Sequence, residues 1–206
     1  MDEKTTAADV YYTISERKRA ELKVKGSRFT ATVFPAKSKG EALSKLDDIR
    51  KEFYDATHNC YAYRLGSKGL DFRAADDGEP SGSAGKPILF MLQKYDVSDA
   101  LLVVTRYFGG VKLGVGGLSR AYSECAAMAL ELVEKIPVYR ATSLRVICVY
   151  EDISIVKPII ERFGVDCKAD YRDVAEFIVS VPLSAVDDCI RAVAAATNAR
   201  AGTIII

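Results

Sequence analysis

The sequence predicts an α+β fold in two domains, and three observations carry that prediction. Ala100–Thr105 is a continuous apolar, β-branched run, suited to a strand buried on both faces. Leu43–Phe53 and Ile153–Phe163 repeat apolar residues every three to four positions, as amphipathic helices do. Beyond Pro137 the patterns follow the order βαββαβ, the split-βαβ or ferredoxin-like arrangement. We place the boundary so that residues 1–136 form the first domain and 137–206 a small ferredoxin-like second one. With 206 residues, 49% hydrophobic and 28% charged, the chain suits packed cores and not a disordered or fibrous class.

In chain order, Glu21–Val24 and Ser27–Phe34 are β-forming runs around Gly26 and predict a hairpin ended by Pro35. Ser38 and Glu41 have capping-box spacing, so a helix is predicted from there to Phe53, with Leu43, Leu46 and Ile49 on its apolar side. Asn59–Leu65 predicts a strand and Asp71–Ala74 a further one. Pro87–Lys94 is helical in pattern, and Pro87 suits a first turn because its missing N–H costs nothing there. After Ala100–Thr105 come a glycine-rich loop and a helix from Leu118 to Lys135, stopped by Pro137. The second domain then predicts strand Ser143–Tyr150, helix Asp152–Phe163, strands Asp166–Tyr171 and Ala175–Val181, helix Ser184–Ala196 and strand Thr203–Ile206. It holds few catalytic side-chain types, which suits a binding or docking module.

No apolar stretch approaches the roughly 20 residues of a membrane helix. The polar start MDEKTTAADVYY is unlike a secretion signal, so a cytoplasmic location is expected. Five cysteines, widely spaced in apolar periodic stretches, are expected to be buried thiols in a reducing compartment. Net charge is +1, and both parts of the chain are close to neutral, so any polyanion site must be local.

Two glycine-rich segments concentrate the chemistry. Asp76–Pro87 holds Asp76, Asp77 and Glu79, two serines including Ser83, three glycines and Lys86. A helix starting near Gly85 aims its positive dipole end at any anion there. It is not a P-loop, since Pro87 stands where a magnesium-binding hydroxyl is needed and Pro80 where an earlier glycine is. Ser83 and Lys86 fit S-x-x-K, which leaves open a hydrolase or transferase acting on a small phosphorylated or peptide substrate at Asp76–Lys86. A plain surface turn is the bland alternative.

Arg106–Leu118 follows the apolar strand and opens a helix, with Arg106, Lys112 and Arg120 flanking its glycines. Ser119 replaces the third glycine of a dinucleotide fingerprint and no acidic residue follows at the ribose position, so no nucleotide cofactor is expected. Tyr107 and Phe108 beside arginines would stack bases of single-stranded RNA, or else serve as core. His58 is the only histidine, and it is either a hydrogen-bonded strand-end residue or part of a site. Without C-x-x-C or H-E-x-x-H, no metal is expected.

Together, His58–Tyr63, DDGEPSGSAGKP and RYFGGVKLGVGGLSRAY resemble the bacterial YigZ branch of the IMPACT family. The likeness covers Ser27 to Tyr122, and the second domain has the length and pattern of the small C-terminal domain of bacterial members. The resemblance implies a first domain of ribosomal-protein-like βαβ fold, shared with a domain of elongation factor G, and a ferredoxin-like second domain. It implies a non-catalytic regulator of translation whose partner is RNA, the ribosome or a protein of the translation machinery, with no membrane association. Eukaryotic relatives bind a kinase activator through an additional N-terminal domain, and the sequence before Ser27 is too short to carry that interaction over. No catalytic residue is assigned. The residues assigned to ligand binding are Arg28, His58, Asp76, Asp77, Glu79, Ser83, Lys86, Arg106, Tyr107, Gly109, Gly110, Gly114, Gly116, Gly117 and Arg120. Of these, Lys86, Arg106 and Arg120 are expected to hold phosphates, the glycines to admit the ligand backbone, and the three carboxylates to contact hydroxyls or a bridging cation.

Overall fold

A computed structural model describes residues 9–206, so most of the polar lead lies outside the described residues. Two compact units form: Tyr11–Val138, and Tyr139–Ile206 together with the described residues up to Val10. The chain is thus a two-unit α+β protein.

In the first unit, β2 (Lys18–Val24) and β3 (Ser27–Pro35) form the expected hairpin. Lys25 and Gly26 both have positive φ, the geometry of a two-residue turn whose twist matches the strands it joins. The strands β4 (His58–Leu65), β5 (Asp71–Ala75) and β6 (Ala100–Tyr107) complete an antiparallel sheet in the order β2-β3-β6-β4-β5. Both β3 and β4 lie antiparallel to the intervening β6, so the crossover through α1 (Lys39–Glu52) is a split βαβ unit.

Alternation along the strands sorts the core into two layers. Phe29, Ala31, Val33, Cys60, Ala62, Leu102 and Val104 pack against α2 (Gly85–Lys94) and α3 (Gly114–Glu131). Phe34, Tyr61, Tyr63, Leu65, Leu101 and Val103 pack against α1 through Leu46 and Ile49. Both faces of β6 are therefore dry, which is why its sequence is a run of apolar residues without alternation.

Several boundaries depart from the sequence expectation. The long helix α3 starts at Gly114 and ends at Glu131, four residues earlier than expected at each end, so the second glycine cluster forms its first turn. Pro137 does not stop that helix; it lies within β7 (Lys135–Tyr139), paired with β1 (Val10–Ile14) in a separate two-stranded sheet. A two-stranded ribbon has only edges, where the missing proline N–H is tolerated. At the start of α1, Glu41 N–H donates to Ser38 Oγ at 3.2 Å, but the Glu41 carboxylate accepts from the Lys37 amide instead of the Ser38 amide. Cys60, Cys125, Cys148 and Cys189 are buried free thiols, whereas Cys167 is exposed on an edge strand.

The second unit contains β8 (Ala141–Cys148), α4 (Ile153–Phe163), β9 (Asp166–Tyr171), β10 (Ala175–Pro182), α5 (Val186–Ala196) and β11 (Gly202–Ile205). Its sheet runs β11-β8-β10-β9, with every pair antiparallel, the ferredoxin-like order. Leu144, Val146, Phe177 and Val179 face Val156, Ile160, Cys189 and Val193 in its core. Short 3-10 turns precede α4 and α5. Asp9, buried, accepts hydrogen bonds from Ser184 at the second of these turns.

Candidate nucleic-acid interface

The first glycine-rich segment closes on itself. Asp76, at the end of β5, turns its carboxylate to the start of α2 and accepts from the backbone N–H groups of Gly82 at 2.8 Å, Ala84 at 3.0 Å and Gly85 at 2.8 Å. A carboxylate of the chain itself thus takes the anion position that a helix N-terminus offers. Gly85 is needed for this approach, because a Cβ there would lie 2.6 Å from the Ala75 nitrogen. Burial alone pushes the Asp76 carboxyl up, but the three backbone hydrogen bonds and the Lys86 charge outweigh it and hold it below its usual range.

A carboxyl with a depressed folded-state pKa contributes stability that is full above its unfolded value and lost as pH falls through the folded one. Asp76→Asn is therefore expected to cost about 1–2 kcal/mol at neutral pH, the scale of a lost helix cap. The loss should shrink below about pH 4, near the unfolded carboxyl value. Urea titrations at pH 7 and pH 3 check this, and an equal loss at both would contradict it.

Ser83 is buried and its hydroxyl donates to the Pro80 carbonyl at 2.6 Å. It is a turn residue here and not a nucleophile facing Lys86, so the S-x-x-K arrangement is not assembled. Asp77, at φ 46°, accepts from the Asn59 amide at 2.7 Å and lies 3.6 Å from Arg50. Its carbonyl accepts from His58 Nδ1 at 2.7 Å, which fixes the proton on Nδ1 because a carbonyl only accepts.

Glu79 and Arg106 join the two glycine-rich segments in the interior. Arg106 donates to Glu79 Oε1 at 2.6 Å, and both side chains are nearly inaccessible. Tyr122, on α3, donates to the same oxygen at 2.8 Å, and His58 Nε2 stands 4.0 Å from it. The second Arg106 nitrogen donates to Ser27 Oγ at 3.3 Å, while the guanidinium lies 5.5 Å from the centres of the Phe29 and Phe108 rings. Cys60 Sγ is 3.3 Å from Tyr122 Oη, and burial pushes this thiol up to about 12. Arg106, expected to hold phosphate, is instead neutralised in place. No three or more histidine, cysteine, aspartate or glutamate side chains are clustered to hold a metal ion among the described residues.

The second segment is open where the first is closed. The start of α3 has no side-chain cap and no acidic residue in its first turn. Gly110 and Gly114 have φ of 85° and 69° with nothing within 4 Å of the place a Cβ would take, and at Gly116 only Arg120 comes near. Phe108, Val111 and Val115 are each about half exposed. Gly109, by contrast, is structural: a Cβ there would fall 1.8 Å from the Gly26 carbonyl carbon, so the β2–β3 turn rests directly on it.

That turn brings Lys25 to α3. Lys25, Gly117, Arg120 and Glu124 are among the residues that line one groove of about 200 Å³. Arg28 lies 4.5 Å over the Tyr107 ring, whose hydroxyl donates to Asp55 at 2.6 Å. Lys25, Arg28, Lys112 and Arg120 are exposed, and none is ion-paired to a described carboxylate. Lys86 lies elsewhere, in a groove with Phe72 and Leu89. The expected trio of phosphate-binding cations is thus divided among three places. No sequence signal singles out Lys25; its proximity to Arg120 is a product of the fold.

Residues 25–130 match the family model described as the Impact N-terminal domain. The chain is 32% identical over 168 residues to the IMPACT family member YigZ of Escherichia coli, covering 79% of this chain and 81% of that protein. It is 43% identical over 120 residues to the IMPACT family member YvyE of Bacillus subtilis, covering 58% of this chain and 55% of the relative, so the match spans about half of that protein. A crystal structure described as that of a hypothetical protein aligns with a TM-score of 0.68 at 26% identity, over 96% of this chain and 98% of the other. No helix among the described residues is long and apolar enough to cross a membrane.

Proposed function

The chain belongs to the bacterial IMPACT family, and from that premise we propose that it is a non-catalytic regulator of translation that binds single-stranded or looped ribosomal RNA at the start of α3. The observation that carries this reading is an uncapped helix N-terminus bordered by three exposed cations, Lys25, Lys112 and Arg120, in a chain of net charge +1. The first-turn N–H groups and the helix dipole favour a phosphate there. Lys25, Lys112 and Arg120 add screened but local positive potential, and the open space around Gly114 and Gly116 admits a ribose-phosphate backbone. The exposed part of the Phe108 ring, lying against the Arg106 guanidinium, supports base stacking of about 1–3 kcal/mol.

Filter binding of oligouridylate and co-sedimentation with ribosomes across a salt series test the proposal. With Lys25→Ala and Arg120→Ala combined, affinity should fall, and the slope of log K against log salt should flatten by about 0.7 for each phosphate no longer neutralised. Unchanged affinity and slope in that variant would rule this surface out as the binding site.

A further inference from the structure

The sheet of the second unit ends on β9, and every residue of that strand is exposed. One side of its backbone therefore has no strand partner. Asp166, Lys168 and Asp170 stand opposite Ser180, Ile178 and Glu176 of β10, on the face turned away from the core that Phe177 and Val179 enter. Arg172, just past the strand, pairs with Asp170 at 2.9 Å and lines a groove with it and Glu176. Charge thus alternates in sign at every second residue from Asp166 to Arg172. The other face of the strand, made by Cys167, Ala169 and Tyr171, carries no formal charge. Asp166 and Lys168 are ion-paired within 4.0 Å to no described side chain.

Edge strands are commonly guarded by charge, and a run of one sign repels a second copy of itself. This run is its own complement in one register. Turned antiparallel about a two-fold axis at Ala169, it sets Lys168 opposite Asp170 of a second copy and Asp166 opposite that copy's Arg172, with matching faces aligned. An axis at Lys168 or Asp170 opposes like charges, and one at Cys167 or Tyr171 matches only one of the two pairs. An axis midway between residues turns the charged faces to opposite sides of the sheet. We propose that β9 is the interface at which two copies of this chain join their second-unit sheets in the Ala169 register. The free backbone groups then find partners, both ion pairs form twice, and Cys167 lies opposite Tyr171 of the other copy. An acidic or a basic peptide is disfavoured, because Asp166–Arg172 holds two charges of each sign. The phosphates of a nucleic acid would meet the two carboxylates. None of these residues belongs to the α3 surface, so either site can fail alone.

Sedimentation equilibrium of the full chain under reducing conditions should show a monomer–dimer equilibrium with Kd below about 1 mM. Lys168→Asp or Asp170→Lys alone places like charges opposite each other on both sides of the axis, and each should weaken the dimer about tenfold or more. The two changes combined exchange the charges and should restore the dimer. Thermal unfolding shows whether each variant keeps its fold, both side chains being exposed. Ala169→Cys with Cys167→Ser reads the register. Opposed Cα atoms in an antiparallel pair lie about 4.5–5.5 Å apart, within disulfide reach. Oxidised glutathione should therefore link two copies of this variant, and should not link Lys168→Cys with Cys167→Ser, in which the thiols are offset. Amide exchange in β9 should slow as protein concentration rises. A chain that stays monomeric up to about 1 mM would overturn the proposal. So would a dimer indifferent to both single charge changes, a double variant as weak as the singles, or linkage through Lys168→Cys in place of Ala169→Cys.

Discussion

Arg106→Met is expected to lower the stability of the first unit by about 3–5 kcal/mol, the scale for removing one partner of a buried ion pair. The loss arises mainly from what is left behind. Glu79 would remain buried with a hydrogen bond from Tyr122 and a histidine 4.0 Å away, but without its cation. Phe29 and Phe108 would also lose the guanidinium that lies over their rings. Glu79→Leu leaves the complementary orphan, an Arg106 whose Nε already lacks a hydrogen-bond partner among the described residues. Combining the two changes removes both charges, and buried pairs replaced by apolar groups are often neutral. The double variant should therefore be more stable than either single variant predicts, with a coupling of up to about 3 kcal/mol. Urea dependence of amide exchange in β3, β4 and β6 reads this for the relevant unit alone. Strict additivity would mean that the pair is not the clamp described.

Gly109→Ala carries the next largest effect, because its methyl group would occupy space already held by backbone. The clash is with the Gly26 carbonyl carbon at 1.8 Å and the Ser27 nitrogen at 2.1 Å, neither of which is the end of a flexible side chain. Relief requires the β2–β3 turn to move off the end of β6. The movement also breaks the hydrogen bond from the Gly109 amide to Ser27 Oγ at 3.2 Å. A cost at or above the usual 1–3 kcal/mol of overpacking is expected. Because the turn carries Lys25 to Arg120, RNA affinity should fall as well, although no charge is altered. Gly110→Ala is the control: its φ of 85° imposes strain, but nothing lies within 4 Å. That strain is about 1–2 kcal/mol, and the Lys25 position is undisturbed. Equal thermal shifts and equal RNA affinities in the two variants would contradict this division of roles.

Much of the fold was legible because local patterns and tertiary burial agree. Ala100–Thr105 lacks polar alternation and became the central strand; Ile153, Val156 and Ile160 share a stripe and became a packed helix face. The departures occur where local preference is weak. Gly114–Gly117 favours no single conformation, so only tertiary context decides that helix α3 begins there. Pro137 is a helix stop by local rules, but its ribbon partner β1 lies far away in sequence.

The site was legible as an inventory and not as an arrangement. Glu79 and Arg106 are 27 positions apart, and no spacing rule joins them into a buried pair. Asp76 was one of three nearby carboxylates, and only the turn through Gly82 shows which one caps α2. Lys25 carried no signal of its own. The fold thus separates two glycine-rich segments into a closed structural clamp and an open surface.

That separation is tested most directly by titrating oligouridylate into the full, isotopically labelled chain and following backbone amide resonances. Shifts are expected at Lys25 and Gly114–Leu118, with Gly82, Ala84 and Gly85 unmoved because Asp76 already holds their N–H groups. Shifts at Gly82–Gly85 with the α3 amides silent would contradict it.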